Sequence, residues 1–598
     1  MNRALFLLST LIISGTAACF ILLQAQDQIP VVKATARQGE LSGRIDFNAL
    51  FESIKTGEIA DLHASATAAP TRLAGTGGEQ FASKLVKDEL AGLGLETFVQ
   101  SYPVTVPVTK WCRITDENGH VLPGLTISPF WPNLVRTCTT PPEGIIGEVV
   151  DVGRGSLLDL DGKHVAGKIA LVTMTEGMAW LDAAKLGATA ILFVASDDPK
   201  VYNDKALFFP ANLPRFLLTG SAQRIVGKTV RLSARVDWEV REARNVFGVL
   251  SPPTPSEEAL VVVSHTDSWS LVPDHAPGYQ DACTLTSMIG IARALADQRA
   301  GLSRTVIFAS LSGRYCASEG LRRLLDAVGS RSRFEPNIFR IQRRLAAAQQ
   351  QRQLVEDAII AFDSVDYWSL KATDEARLWR QFGQSVREVL ASTVEGLLNQ
   401  HVNGAIDRAA HARVQWSKHK RPVEGPLYNK FQDSMRQLKR ARAAASADLV
   451  GLKKLFGDVL DAAQTRELSR DALQKSLDDA QAACRYEHDS IRVANTLGKW
   501  KNTYYIFPLH DSSTGPLGVA SDTTLGKNLR PTISAITGAW LRHHHFSDED
   551  PRLRKKEFVL DQGRREGGRQ PTLLRLRRNP GRYVAPDLAV GSGGIMAP

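Results

Sequence analysis

The run VVVSHTDS, residues 261–268, carries an imidazole and a carboxylate, His265 and Asp267, just past an apolar stretch from Val261 to Val263. Such a stretch reads as a buried strand, and in open parallel sheets ligands and metals sit in the crevice outside the carboxyl ends of the strands. A second carboxylate, Asp281, lies in the segment GYQDACTLTS at residues 278–287, which leads into a helix-like segment from Ser287 to Ala296. An imidazole and carboxylates that reach one place by separate routes are the donors from which a metal site is assembled. Its chemistry would be hydrolysis: a metal-bound water attacks a carbonyl while a general base takes the water's proton. Each residue also has a plainer reading, His265 as a hydrogen-bonded core histidine and Asp281 as the cap of the helix that follows it.

The elements that must position these residues alternate between strand and helix. The apolar runs predict strands at Val246–Leu250, Leu260–Ser264, Thr305–Leu311 and Ala358–Asp363, the pattern of a doubly wound α/β sheet. Upstream, IDFNALFESIKTGEIADL has helical spacing, a Gly-rich turn follows at residues 75–78, and a helix from Glu79 to Leu93 leads to a strand from Glu96 to Val104. Residues 108–245 read as short strands with Gly and Pro turns, among them Lys168–Thr173 and Ala190–Val194 on either side of a helix from Met178 to Leu186. Residues 370–500, rich in Ala, Gln, Arg, Leu and Glu, read as two to four helices whose heptad pattern is too loose to specify an oligomeric state.

The two segments at 261–268 and 278–287, with LAGTGGEQFASKLVKDELAGLGLETFVQSYPV ahead of them, resemble the co-catalytic zinc exopeptidases of the bacterial aminopeptidase and glutamate carboxypeptidase type. The stretch GEVVDVGRGSLLDLDGKHVAGKIALVTMTEG, continued by AWLDAAKLGATAILFVAS, resembles a protease-associated domain; a generic small α/β insertion is the other reading. The resemblance implies an α/β fold: a doubly wound zinc-exopeptidase-like sheet with an inserted small β-rich protease-associated domain and a long α-helical insertion. On this reading residues 1–26 are a signal peptide or membrane anchor, 45–107 the start of the peptidase-like domain, 108–245 the protease-associated domain and 246–368 the core. Residues 369–500 are then the helical insertion, 501–542 the end of the peptidase-like domain and 543–598 a basic, disordered tail.

The resemblance also implies zinc, one or two ions. His265 matches the first ligand, Asp267 the residue that orients it from behind, and Asp281 the bridging carboxylate. Asp363, in AIIAFDS, matches a later ligand at a strand end, with Asp366 as its competitor, and His510, in IFPLHDSS, matches the final histidine. The family's Gly-Glu-Glu supplies the base and a further ligand. Here SLSGRYCASEG, residues 310–320, puts Arg314 in the base's position and Tyr315 in the ligand's. A guanidinium cannot accept a proton at neutral pH and repels dications, and a tyrosine phenolate is a rare metal ligand. Cys283 and Cys316 fall where the two loops converge, as a disulfide, a thiolate ligand or filling.

Composition sets the remaining bounds. At 598 residues the chain exceeds a single core, and 43% hydrophobic with 23% charged residues is ordinary for a folded protein. The net charge of +10 does not describe a nucleic-acid-binding face, because residues 551–582 hold 11 Lys and Arg against 3 Asp and Glu. Residues 4–23 are uncharged and follow Arg3, as in an export signal or a single membrane anchor, so the body is expected outside the cytoplasm, periplasmic or extracellular. In an oxidising compartment Cys112 and Cys138 could form a bridge; otherwise they are two buried thiols. The chain has no Gly-x-Ser-x-Gly elbow for a nucleophilic serine. The expectation is an exported metallopeptidase-fold protein with aminopeptidase-type hydrolysis of peptides, impaired at Arg314. The other reading is a non-catalytic relative that binds peptides or proteins through the old cleft.

Overall fold

The computed structural model describes residues 49–50, 53–54, 56–133, 136–175, 178–195, 213–328, 337–365, 372–418, 421–445, 462–500 and 502–509, with short strands at 518–520, 559–562, 573–577 and 587–589. In chain order the elements that matter are α1 (Thr56–Ala66), α2 (Gly77–Gly92), β1 (Glu96–Asp116), β2 (Thr126–Pro129), β3 (Ile145–Asp151), β4 (Ile169–Thr173), α3 (Trp180–Lys185), β5 (Ala190–Val194), β6 (Arg215–Thr219) and β7 (Thr229–Leu250). They continue with β8 (Glu258–His265), α4 (Tyr279–Asp297), β9 (Thr305–Leu311), α5 (Glu319–Val328), α6 (Asn337–Asp363), α7 (Ala372–Phe382), α8 (Gln384–Lys418), α9 (Pro426–Ala445), α10 (Ala462–Leu497) and β10 (Asn502–Leu509).

The core sheet has the order β1–β7–β9–β8–β10. Strands β8, β9 and β10 are parallel, while β7 runs antiparallel to both β9 and β1. Both faces of this sheet are covered, which is why its strands are apolar throughout and not alternating. Val262 and Phe308 face a cluster with Val86, Leu90, Leu285 and Ile289 of α2 and α4. Val261, Val263, Ile307 and Ala309 face Leu324, Ile341, Val493 and Leu497 of α5, α6 and α10. The molecule is therefore a mixed α/β protein with a central mixed sheet between helices.

Five strands form a second sheet in the order β3–β4–β5–β6–β2, parallel from β3 to β6 with β2 antiparallel at the edge. It is joined to the core because β7 pairs with β3 through Thr229–Leu232 and with β9 through Val246–Leu250. Its buried face is aromatic, with Phe130 stacked on Phe193 and Trp180 edge-on to Phe193. The buried guanidinium of Arg215 lies over Phe130 and Trp180.

Two expectations change. The segment Ala358–Asp363 is not a strand but the last turns of the 27-residue helix α6. Its apolar run AIIAF follows RRLAAAQQQRQLVED without a turn residue, so helical propensity carries through it. Cys112 and Cys138 are free thiols; Cys138 is buried with its Sγ 3.4 Å from the Phe130 carbonyl, and burial raises the pKa of both. Within 543–598 the described residues are three short strands, of which 559–562 pairs with 573–577. Residues 1–26 and His510 lie outside the described residues. Among the described residues no helix is long and apolar enough to cross a membrane.

Candidate functional site

His265 is the last residue of β8 and pairs across the ladder with Leu311, the last residue of β9. Two loops therefore leave the sheet side by side. The first, 266–278, is pinned from outside: Ser268 N donates to the Arg72 carbonyl at 3.0 Å, and Arg72 N donates to the Ala276 carbonyl at 2.8 Å. The Arg72 side chain is fully buried, with Nε donating to the Pro277 carbonyl and Nη2 to the Gly278 carbonyl, both at 2.8 Å. Gly278 starts α4 in the left-handed conformation (φ 64°), where a Cβ would sit 2.2 Å from the Cβ of Ser268. Asp281 follows in the first turn, and no side chain caps this helix, so Asp281 is not a cap.

The second loop, 312–318, carries Arg314. It turns through Gly313 (φ 70°) and then through Ala317 and Ser318, two non-glycine residues in the left-handed region at φ 56° and 53°. Such residues cost roughly 1–2 kcal/mol each and persist only where surrounding bonds over-determine them. Here Glu319 N donates to the Gly313 carbonyl and Gly320 N to the Ser312 carbonyl, both at 3.1 Å. Asn245 locks the base of the loop: its Oδ1 accepts from Tyr102 (2.9 Å) and Ser312 N (3.2 Å), and its Nδ2 donates to the Gly320 carbonyl (2.8 Å).

The two loops meet through Arg314. Its backbone N–H donates to Asp267 Oδ2 at 2.9 Å, and its Nη1 donates to Asp281 Oδ1 at 3.3 Å. Its guanidinium also lies 5.3 Å from the centre of the Tyr315 ring. Tyr315 stacks on Trp269 (5.6 Å), which meets Trp131 of the second sheet edge-on (5.9 Å). Tyr315, Trp269 and Trp131 thus form a row of three aromatic rings that starts at Arg314, the middle one buried and the outer two half-buried.

Burial dominates the electrostatics. It lowers the pKa of His265 to about 3, with the Arg314 charge adding to the effect, so the imidazole is neutral. It raises Asp267 to about 8, helped by the nearby Glu79 and Asp281 carboxylates and opposed by Arg314 and Arg72. Asp281 is raised by burial despite the same two arginines. Glu79, fully buried on α2 and bonded to Ser83 Oγ (2.8 Å) and Gly75 N (3.3 Å), is raised to about 7 by burial. Burial raises the Tyr315 phenol, which disfavours the phenolate needed for ligation, and pushes the Cys316 thiol up to about 12. Cys283 is raised by burial and then by Asp281; both cysteines are free thiols.

Residues 245–313, from the end of β7 to the Gly before Arg314, match the model of Peptidase family M28. The match agrees with the zinc exopeptidase resemblance carried by residues 261–268 and 278–287. Among solved structures, an aminopeptidase from Aneurinibacillus sp. strain AM-1 aligns at 17% identity over 47% of this chain and 68% of that one, with a TM-score of 0.30. A zinc aminopeptidase from Bacillus subtilis aligns at 16% identity over 46% and 66%, with a TM-score of 0.33. A peptidase M28 precursor from Shewanella amazonensis aligns at 16% identity over 46% and 69%, also at 0.33. The chain thus spans about two thirds of the length of these solved proteins, and no curated protein matches it.

The loops after β8 and β9 bring His265, Asp267 and Asp281 to one place and add Arg314 and Tyr315. They do not bring Asp363, which ends α6 and is held at both oxygens by Arg470 Nε at 3.0 Å. Nor does Asp267 orient His265: its Oδ2 takes the Arg314 N–H, while its Oδ1 and His265 Nδ1 are buried without hydrogen-bond partners among the described residues. The family suggests zinc, but these donors do not fit a two-zinc centre. Among the described residues no three His, Cys, Asp or Glu side chains converge on a metal position, and Asp281 is taken by a guanidinium. Arg72, Glu79, Tyr102, Asn245, Trp131 and Trp269 support the site and were not visible as site residues in the sequence. Only Arg72 and Glu79 carried a signal, as charges flanking the Gly-rich turn before α2.

Proposed function

We propose that the cleft of this M28 core binds peptides or a protein segment without hydrolysing them through metal-activated water. The ion pair of Arg314 with Asp281 carries this reading, because it joins the residue at the base's position to the residue at the bridging position and satisfies each with the other. A guanidinium there accepts no proton from water, and fold alone does not restore the activity. The ligand would contact the half-buried Tyr315 and Trp131, both packed on the buried Trp269, so the second sheet, proposed as a protease-associated module, would shape the site. The uncharged run at residues 4–23 supports a site of action outside the cytoplasm, exported or anchored.

The second reading, aminopeptidase-type hydrolysis with zinc, is favoured by the family match over residues 245–313. Incubation of the purified chain with peptides and aminoacyl anilides, with and without zinc, separates the two. The expected result is quenching or shift of tryptophan fluorescence on peptide addition with no product released. Zinc-dependent release of amino-terminal residues overturns the binding reading, and absence of both signals removes a peptide ligand.

A further inference from the structure

We infer that Arg314 and Tyr315 capture a carboxylate of the ligand, the one at a peptide's C-terminus, with paired donors from the guanidinium and a further donor from the phenol. This deepens the peptide-binding reading and rests on it.

The first ground is unused donor capacity. A guanidinium is a planar fork of N–H donors, and its strong pairing with a carboxylate is two parallel bonds of about 2.7–2.9 Å. The Arg314 side chain makes one bond, from Nη1 to Asp281 Oδ1, and it is long at 3.3 Å. Among the described residues Nε and Nη2 have no hydrogen-bond partner, and the side chain is 36% exposed, so the fork is held at one corner and accessible at the others. The second ground is the neighbour. The hydroxyl of the half-buried Tyr315 likewise has no hydrogen-bond partner among the described residues. Its ring meets the same guanidinium, a contact that consumes no N–H donor. The third ground is charge. Asp281 also feels the buried Arg72 guanidinium, so a ligand carboxylate on Arg314 does not leave Asp281 without a cation. The fourth ground is rigidity. Arg314 N is bonded to Asp267, and Ser312 and Gly320, on either side of the turn, are bonded to the buried Asn245, so little ordering remains to be done on binding. The direction of the aromatic row selects the C-terminus. An internal acidic residue carries chain on both sides of its carboxylate, whereas a C-terminus carries it on one, which matches rings that run one way from Arg314.

The test is calorimetric titration of the full chain with N-acetylated pentapeptides ending in Phe, Leu or Lys, each as the free acid and as the C-terminal amide. A further amide carries an internal Glu. In wild type and in the exposed control Arg322→Gln, the free acids should bind about ten- to a hundredfold more tightly than their amides. Arg314→Gln should abolish that ratio, Arg314→Lys should keep part of it, and Tyr315→Phe should lower it about three- to tenfold. Free acids and amides that bind wild type equally overturn the carboxylate inference and leave the peptide-binding reading in place. So does an unchanged ratio in Arg314→Gln. Preference for the internal Glu peptide over the free acids overturns the assignment to the C-terminus. No binding by any of the peptides overturns the peptide-binding reading and this inference with it. If Arg314→Gln does not fold, the wild-type ratio and its reduction in Arg314→Lys decide.

Discussion

The ends of β8 and β9 are ladder neighbours with opposite chemistry. The β8 end keeps a neutral imidazole and carboxylates, His265, Asp267 and, through α4, Asp281. The β9 end presents Arg314 and Tyr315 from a strained turn. The scaffolding is equally well made on both sides. Arg72 clamps the first loop and Asn245 the second, each fully buried. Positioning and chemistry are therefore separable: the apparatus that holds two loops in register is intact while one loop carries a cation where the family carries carboxylates.

The largest expected effect breaks the scaffolding of the second loop. A Cβ at Gly320 would lie 2.2 Å from the Ser312 carbonyl, 2.5 Å from Asn245 Oδ1 and 2.6 Å from the Tyr102 hydroxyl. Gly320→Ala should cost about 3 kcal/mol or more in chemical denaturation, as overpacking against fixed polar groups does; a loss below 1 kcal/mol (~1) would show the loop to be loosely held. Next comes the chemistry. The double variant Arg314→Glu with Tyr315→Glu sets new carboxylates beside Asp267 and Asp281 and should cost about 2 kcal/mol without metal. Zinc should restore that stability, and failure to do so would mean that the family's geometry, not only its side chains, has been lost from the β9 end.

Acidity sharpens the comparison more gently. His265 has a pKa of about 3 in the fold against 6.5 as the reference, so the unfolded chain holds its proton over that range and stability falls as pH drops through it. Asp267, about 8, and Glu79, about 7, hold protons in the fold that the unfolded chain releases near 3.8 and 4.5, so their contribution is lost as pH rises from there. Metal-free protein should therefore lose stability between about pH 5 and pH 8, and Asp267→Asn should reduce that slope. Denaturant melts at the two pH values check it; an unchanged slope would mean that Asp267 ionises normally. The smallest effect is release of strain: Ala317→Gly, at φ 56°, should stabilise by about 0.5–1 kcal/mol. No gain would show that the loop's bonds already hold the left-handed form at little cost.

The β8 end was legible because strand identity and chemical identity coincide there: three valines in a row, then His265 and Asp267. The departure at Arg314 was legible for the same reason, since β9 runs Thr305–Leu311 as its apolar pattern predicts. Asp363 was misplaced because a short apolar run is compatible with a strand or a buried helix face, and only its length of uninterrupted helix formers distinguishes them. The supports were hidden for another reason. Glu79 and Arg72 are charged residues in an ordinary helix start and turn, and nothing in one sequence says that such charges are buried. Their roles come from distant partners, Arg72 from residues 277 and 278 and Glu79 from its proximity to Asp267.

The long pair β1 and β7 has a mechanical consequence. β7 is clamped at one end against β9 in the core sheet and at the other against β3, β1 runs along it as its ladder partner, and their pairing shifts register once, between Thr109 and Trp111. The two sheets are thus halves of one beam, notched at a single point. A cut through residues 117–228 would leave two stumps of ribbon with bare edges, and a load applied at Trp131 reaches the strand beside β9 without crossing a flexible linker. The second sheet therefore cannot be excised as a passenger without unpairing β3 from β7.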